Sequence, residues 1–290
     1  MLSGSWDHGG QAGRKRSLYP GSMDTRLGEY LRARRELLRP QDVGLPGQGR
    51  RRVPGLRREE LALLAGISSD YYLRLEQGRD QNPSEQVLEA IARALQLDVE
   101  ATEHLHALAR PVARKRPTHK ADKASEGIRQ LVISWPDTSA YVQSRLHDVL
   151  VANPMATALC PSYREGKNMM REAFLNPAVR AMYRRDWDAI IAGTVAGLRA
   201  LVGPDVDDPA LAELVGDLSV RSEEFRRLWA RHDVRRRTSG VSCLTHPLVG
   251  DLDLRHEKLA VTGSGGQILV VFHAEPGSRS AQALALLRAL

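Results

Sequence analysis

The segment from Arg57 to Arg79 constrains the fold more than any other stretch of this chain. It predicts two short helices, the first over about Arg57–Ala65 and the second ending at Gly78. Gly66 stands where a chain leaves a helix in the left-handed conformation, and the Ser68 hydroxyl can cap the second helix. The residues predicted to face inward are Leu61, Leu64, Ala65, Tyr72 and Leu75.

The spacing of small and large residues in this segment is that of a helix-turn-helix. Ala62 allows a close approach of the second helix, Gly66 makes the turn and Tyr72 fills the space between the helices. The second helix would enter the DNA major groove by its N-terminal end. The alternative is an ordinary helical hairpin in a larger bundle, which the basic surroundings disfavour.

The string GISSDYYLRLEQGR resembles the DNA-binding core of lambda-repressor-like regulators of the Xre type, with the similarity extending over roughly Leu27–Ala109. The resemblance implies an all-α bundle that binds double-stranded DNA. Ser69 stands where the best-known members carry glutamine. The residues expected to contact DNA in this segment are Arg58, Ser68, Ser69, Asp70, Tyr71, Arg74 and Arg79.

Charge is concentrated near the start of the chain. The net charge is +7, yet the stretch from Arg14 to Arg58 holds 13 Lys and Arg against 4 Asp and Glu, so the remainder is slightly acidic. The basic N-terminal part of the chain is therefore the part expected to bind nucleic acid. Part of the charge lies on Arg50, Arg51 and Arg52, in a Pro- and Gly-rich loop over Arg39–Gly55. These arginines are predicted to bind phosphates or the minor groove, the alternative being a solubilising loop.

Helices continue on both sides of this core. Thr25–Leu38 is predicted as an amphipathic helix with an apolar stripe of Leu27, Tyr30, Leu31, Leu37 and Leu38. Its arginines, Arg32, Arg34 and Arg35, are expected to face solvent or phosphate. Two more helices are predicted, one starting at the Asn82 cap and one over about Val99–Ala109. Residues 1–23 are predicted to be a disordered extension, 24–110 the DNA-binding domain and 111–127 a linker, with Met23 a candidate start of translation.

The second half alternates between strands and helices. Strands are predicted over Ala140–Arg145, Asp148–Asn153, Ser239–Thr245, Gly250–Val261 and Gly266–Ala274. Helices are predicted after Asn153 and over Asn168–Arg185, Trp187–Val202, Pro209–Leu218, Glu223–Asp233 and Ser278–Leu290. Strands that flank a helical block predict an α+β domain over 128–290, with one antiparallel sheet and helices covering a face.

This half resembles the ligand-binding domain of MmyB-like transcription regulators, over about Arg129–Leu290. The similarity is carried by FRRLWARHDVRRRTSGVSCLTHPLVGDLDL (Phe225–Leu254), AYVQSRLHDVLVANPMA and EPGSRSAQALALL. The family implies a PAS-like five-stranded sheet against helices, an apolar pocket for a fatty-acid-like molecule, and a dimer. Leu244 and His256 stand where the family often has Phe and Tyr.

The residues themselves offer candidates for such a pocket. Methionines and aromatics can line an adaptable apolar cavity, and basic residues can hold a carboxylate at its mouth, although such residues are more often core or solvated surface. The predicted ligand contacts are Met170, Phe174, Tyr183, Trp187, Phe225, Trp229, Arg231 and His232.

No catalytic constellation is found in the sequence. His147-Asp148 and His232-Asp233 lack further metal ligands at suitable spacing, and Cys160 and Cys243 are too far apart for a CxxC zinc site. No cofactor or metal is predicted. The chain has no run of eighteen apolar residues, so no membrane insertion is expected.

The sequence therefore predicts a two-domain, cytoplasmic, sequence-specific DNA-binding transcription regulator. It would act as a homodimer on a pseudo-palindromic operator, since one recognition helix reads only a few base pairs. Its C-terminal domain would sense a fatty-acid-like molecule. The alternative is a C-terminal module for dimerisation or protein interaction, as in an antitoxin or a developmental switch, without a small ligand.

Overall fold

The N-terminal domain is a bundle of five α-helices. The computed structural model describes residues 25–46, 55–80, 82–109, 123–183, 185–202, 208–235 and 238–289. In the first three ranges the helices are α1 (Arg26–Leu37), α2 (Arg58–Ala65), α3 (Ser69–Glu76), α4 (Glu85–Ala94) and α5 (Val99–Ala109), with a 3-10 helix over Pro40–Val43. The loop arginines Arg50, Arg51 and Arg52 lie outside the described residues, as does the predicted extension 1–23.

The turn between α2 and α3 has the predicted construction. Gly66 has φ +67° and ends α2, and the Ser68 hydroxyl accepts a hydrogen bond from the Tyr71 amide at 3.1 Å. Tyr72 and Leu75 are fully buried between the helices. On the other side of α3, a Cβ atom at Gly28 would lie 2.2 Å from the carbonyl oxygen of Glu76. Glycine is therefore required where α1 crosses the end of α3.

The C-terminal domain contains five strands, eight α-helices and a 3-10 helix over Pro161–Tyr163 among its described residues. The strands are β1 (Ser139–Gln143), β2 (Val149–Ala152), β3 (Ser239–His246), β4 (Gly250–Ala260) and β5 (Ile268–His273). The helices are α6 (Glu126–Ile133), α7 (Pro154–Leu159), α8 (Met169–Leu175), α9 (Pro177–Met182), α10 (Trp187–Val202), α11 (Pro209–Arg221), α12 (Glu223–Trp229) and α13 (Arg279–Ala289).

The strands form one antiparallel sheet in the order β2-β1-β5-β4-β3. Its inner face packs on helices α7 to α13 around a buried cluster that includes Phe225, Leu244 and Phe272. The opposite face is partly covered by α6 through Val132 and Ile128. The sheet and helices confirm the predicted α+β, PAS-like architecture, and α6 lies in a segment where no helix was predicted.

Several local predictions are wrong. The helix predicted over Asn168–Arg185 is two helices, because Asn176 ends α8 and its side chain caps α9. The cap of α4 is Ser84, whose hydroxyl accepts from the Val87 amide, and not Asn82. Leu37 and Leu64 are 44% and 37% exposed, so neither belongs to the buried stripe.

The arginines of α1 also depart from the prediction that they face solvent. Arg32 is exposed, but Arg35 is 5% exposed and Arg34 contacts the C-terminal domain. Each of these two guanidiniums has a carboxylate partner distant in sequence, which makes its burial possible.

No helix among the described residues has the length and apolar character needed to cross a membrane. The described part of the chain also contains no group of three or more His, Cys, Asp or Glu side chains that could hold a metal ion.

Candidate DNA-binding face, ligand cavity and domain interface

The exposed face of α3 carries the side chains that could read DNA. Ser68, Ser69 and Asp70 are exposed at its N-terminal end. One turn further, the Arg74 guanidinium bonds to the Asp70 carboxylate and lies 5.4 Å from the centroid of the Tyr71 ring. An ion pair this exposed contributes little to stability, so Arg74 can exchange Asp70 for a base or a phosphate.

A buried carboxylate fixes α3 against α1 and α2. The Glu76 side chain is 2% exposed and accepts from Arg35 Nε at 2.6 Å and from Arg58 Nε at 2.6 Å. Arg35 also donates to the carbonyl of Leu56 at 2.6 Å. Burial by itself would raise the pKa of Glu76, but the bonds from the two arginines hold that pKa below its ordinary value. The triad therefore sets the orientation from which α3 presents its outer face.

Arg58 and Arg79 border this face. Arg58 remains 44% exposed while it bonds Glu76, and Arg79 is exposed just beyond α3, with its backbone amide donating to the Arg74 carbonyl. The structure thus brings together all the predicted DNA contacts that it describes. Their contact with DNA stays a prediction.

A cavity of about 110 Å³ lies between the inner face of the sheet and helices α8, α9 and α10. One part of its wall is aromatic. The Tyr141 and Tyr163 rings stack with centroids 4.6 Å apart, Tyr163 stacks on Phe272 at 5.6 Å, and the hydroxyls of Tyr163 and Tyr183 bond to each other. The apolar residues that complete this wall are Met169, Ala173, Val179, Trp187, Ile190 and Val270.

The other part of the wall is polar, with Gln143, His147, Ser242, His256 and Lys258. His256 accepts from or donates to the Ser242 hydroxyl through Nδ1 at 3.0 Å. His147 is 4% exposed and has a φ of +69°, a conformation that costs a non-glycine residue about 1–3 kcal/mol. Burial, together with the charge of Lys258, lowers the pKa of His147 to about 3, so its imidazole is neutral at physiological pH.

Two of the residues that line the cavity each have a side-chain nitrogen with no hydrogen-bond partner among the described atoms. These nitrogens are His147 Nε2 and Trp187 Nε1, and both are buried. The Gln143 amide lies 3.4 Å from His147 Nδ1, and in the tautomer with its proton on Nε2 the imidazole accepts from that amide. Trp187 Nε1 is always a donor, and His147 Nε2 is a donor in this tautomer, so a group that accepts hydrogen bonds would satisfy both.

The two domains contact each other through α1, α5, α10 and the segment after α12. We call this the domain interface and define it by Tyr30, Arg34, His104, Arg199, His232 and Asp233. Arg34 donates to the Asp233 carboxylate at 2.5 Å, and the Tyr30 ring lies 5.3 Å from the His104 ring and 6.4 Å from the His232 ring. Ala200 and Val234 belong to the same buried apolar cluster as the core of the N-terminal bundle.

Burial at the domain interface shifts several ionisation equilibria. It raises the pKa of Tyr30 to about 12 and, with the nearby charge of Arg199, lowers the pKa of His104 and of His232 to about 4. Burial also lowers the pKa of Arg199 to about 10, and its guanidinium lies 3.9 Å from the centroid of the Trp229 ring. The two histidines are therefore neutral at physiological pH.

Residues 26–105 match the family model of a helix-turn-helix domain, and residues 124–287 match that of the MmyB-like transcription regulator ligand binding domain. The second match spans more than half of the chain. The chain belongs to this MmyB-like family. No curated protein matches the sequence. The predicted helix-turn-helix domain and the MmyB-like resemblance are confirmed, and this MmyB-like chain is a DNA-binding transcription regulator with a ligand-binding domain.

The structure places the predicted ligand contacts of this regulator in three different surroundings. Tyr183 and Trp187 lie in the cavity wall. Met170, Phe174, Phe225 and Trp229 do not line it; Phe174, Phe225 and Trp229 pack ring on ring in the core behind α8 and α12. Arg231 pairs with Asp233, and His232 lies at the domain interface, so neither stands at the mouth of the cavity.

The polar wall of the cavity was not predicted. Its residues on strands follow the two-residue period of inward-facing positions, as in Tyr141 with Gln143 and His256 with Lys258, whereas His147 lies in a turn. A polar side chain in an inward register of a covered sheet is the signal that could have revealed them. His256 was singled out only as a departure from the family pattern.

Proposed function

We propose that this regulator binds a pseudo-palindromic operator as a cytoplasmic homodimer and that its cavity holds the head group of an amphipathic carboxylate. The exposed face of α3, held by the Glu76 triad, supports sequence-specific readout by Arg74 and Tyr71. A dimer is proposed because one such helix reads too few base pairs to find an operator.

The observation that carries the ligand proposal is the pair of unsatisfied donors, His147 Nε2 and Trp187 Nε1, in the wall that Lys258 also lines. A carboxylate accepts hydrogen bonds and carries the charge that complements Lys258. The aromatic wall supplies an apolar surface for the remainder of the molecule. A domain that only binds other proteins does not require buried hydrogen-bond donors around a cavity. These donors therefore favour ligand sensing over the alternative in which the C-terminal domain is a protein-interaction module.

The cavity volume restricts how the ligand enters. About 110 Å³ is below the 300–1,000 Å³ typical of small-molecule pockets. A molecule with more than a few carbons must therefore push the walls apart as it binds. Met169, which is flexible and lies in the wall, can change rotamer to make room.

The DNA assignment predicts a loss of operator preference. Replacing Arg74 or Tyr71 with alanine should reduce the preference for a selected operator over random duplex by about 1–3 kcal/mol, because a base-edge contact is lost. Selection from a random duplex pool provides the operator, and fluorescence anisotropy gives both affinities. Arg93→Ala, on the exposed side of α4, is the matched control. Unchanged preference in both α3 variants would refute the groove assignment.

The ligand assignment predicts a charge-specific loss of affinity. Lys258→Met should weaken the binding of octanoate by about 10-fold to 100-fold, since a hydrogen bond to a charged group contributes about 1.5–3 kcal/mol. It should leave the binding of 1-octanol nearly unchanged. Isothermal titration calorimetry on the full chain measures both. Lys167→Met removes a 50%-exposed lysine that pairs with Glu172 away from the cavity and should change neither.

Native followed by denaturing mass spectrometry of the purified full chain adds an independent measurement. Release of an anionic lipid-sized or metabolite-sized molecule would support the proposal and give its mass. Equal octanoate affinity in wild type and Lys258→Met would refute a carboxylate site at the polar wall.

A further inference from the structure

The cavity and the domain interface share one helix. Along the first half of α10, Trp187, Ile190 and Thr194 line the cavity. In its second half, Ala200 belongs to the apolar cluster of the N-terminal bundle, and Arg199 is close enough to Tyr30 of α1 to affect its ionisation. The helix has 16 residues and is therefore about 24 Å long, so it spans the distance between the two sites as one rigid element.

A second set of contacts ties α10 to the segment that touches the N-terminal domain. The Arg235 amide donates to the Ala196 carbonyl at 3.3 Å, and Arg199 donates to the Trp229 carbonyl at 2.7 Å. Between these two anchors stand His232 and Asp233, which meet Tyr30 and Arg34 of α1. A movement of α10 must therefore move the residues that hold α1.

The domain interface contributes only limited stability to the arrangement of the two domains. Arg34 and Asp233 are 21% and 29% exposed, and Arg34 Nε and Arg199 Nε are buried without a hydrogen-bond partner among the described atoms. His232 has a φ of +54°, which is uncommon for a residue other than glycine. Unsatisfied donors and an unfavourable backbone angle raise the free energy of this arrangement, so a modest displacement can replace it with another.

The contact does not cover the DNA-binding face. The domain interface uses Tyr30 and Arg34 of α1 and His104 of α5, whereas Ser69, Asp70 and Arg79 remain exposed. Blocking of α3 by the C-terminal domain is thus not the means of control. What the contact fixes is the orientation of the DNA-binding domain relative to the ligand-binding domain.

We propose that the domain interface, joined to the cavity by α10, is the element through which cavity occupancy changes operator affinity. Because a cavity of about 110 Å³ must expand to accept a ligand, α10 shifts, and the Arg34–Asp233 contact is rearranged. In a dimer this alters the relative placement of the two α3 helices. The inference rests on the proposed function, and the ligand acts only by its different affinity for the two arrangements.

A variant with a large side chain in the cavity wall pushes the walls apart in the absence of ligand. It therefore tests the coupling between the cavity and operator affinity. Ala173 lies in the cavity wall on α8, so Ala173→Trp pushes on α10 from the opposite element. We expect it to change operator affinity at least about fivefold in the wild-type background, within the range of typical coupling. In the Arg34→Asp background, residue 34 repels Asp233. There, Ala173→Trp should change operator affinity by less than about twofold. Ala173→Phe repeats the test should the larger ring prevent folding.

A charge swap distinguishes a specific loss of the coupling between cavity and operator affinity from general damage to the fold. Arg34→Asp combined with Asp233→Arg restores opposite charges and should restore the effect of Ala173→Trp. Arg32→Asp, on the same helix with its side chain 63% exposed, is the matched control and should preserve it. An Ala173→Trp effect of the same size in wild-type and Arg34→Asp backgrounds would overturn the proposal, as would no effect in wild type.

Hydrogen exchange separates this inference from the proposed function. Amides of α1 and α5 should exchange faster in Ala173→Trp than in wild type, and this difference should vanish in Arg34→Asp. That measurement needs neither operator nor octanoate. Failure to bind octanoate would overturn the ligand proposal alone, whereas unchanged exchange in α1 and α5 would overturn the coupling alone.

Discussion

Replacing Glu76 with glutamine should destabilise the N-terminal domain by about 3–5 kcal/mol, the usual cost of removing one partner from a buried ion pair. Glu76 is the shared acceptor for Arg35 and Arg58, and its side chain is almost fully buried. Without the carboxylate charge, the Arg35 guanidinium remains 5% exposed with only the Leu56 carbonyl as a strong partner. The expected result is local unfolding of α1 to α3.

Hydrogen exchange with mass spectrometry on the full chain measures this effect. Tryptophan fluorescence cannot, because all four tryptophans lie outside residues 24–110. Glu36→Gln makes the same chemical change at a pair that is largely exposed, Arg32 with Glu36 at 2.9 Å, and should cost less than about 1 kcal/mol. Equal exchange in the two variants would show that the triad does not stabilise the domain.

The pH dependence of this domain follows from the same residue. The pKa of Glu76 is lower in the folded state than its ordinary value of 4.5. The stabilisation is therefore complete above about pH 4.5 and is lost as the pH falls through the lowered pKa. In Glu76→Gln this part of the acid sensitivity of α1 to α3 should be missing.

Asn153→Ala should destabilise the C-terminal domain by about 3 kcal/mol or more. The Asn153 side chain is fully buried and makes four hydrogen bonds to backbone groups. It accepts from the amides of Ala140 at 3.1 Å and Ala156 at 2.8 Å, and donates to the carbonyls of Trp135 at 2.9 Å and Thr138 at 2.6 Å. Each buried backbone group left without a partner costs about 1–3 kcal/mol.

This residue joins elements that form the cavity. It caps α7 and holds the start of β1, the strand that carries Tyr141 and Gln143 into the wall. Urea unfolding followed by tryptophan fluorescence measures the loss, since Trp135, Trp187 and Trp229 lie in this domain. Ser125→Ala removes an exposed helix cap of α6 and should cost about 1 kcal/mol. An equal loss in both variants would contradict the role of Asn153 as a shared partner.

Local chemistry made much of the fold predictable. The ends of α10 follow from the sequence to the residue, and the α2–α3 turn follows from Gly66 and Ser68, because helix periodicity, caps and left-handed glycines act over a few residues. The strands could be located from β-branched runs between Gly- and Pro-rich breaks. The MmyB-like family and the helix-turn-helix domain could be identified from strings of residues in regions that the family models also match.

The tertiary structure alone decided which polar residues are buried and what they face. Arg35 looks like a solvent-facing arginine until α3 brings Glu76, 41 residues away, to its guanidinium. Arg34 meets Asp233 across 199 residues of sequence. The polar wall of the cavity collects Gln143, His147, Ser242, His256 and Lys258 from separate strands and a turn. Burial of a polar group depends on a partner that arrives through packing, and no local pattern in the sequence encodes which distant segment supplies it.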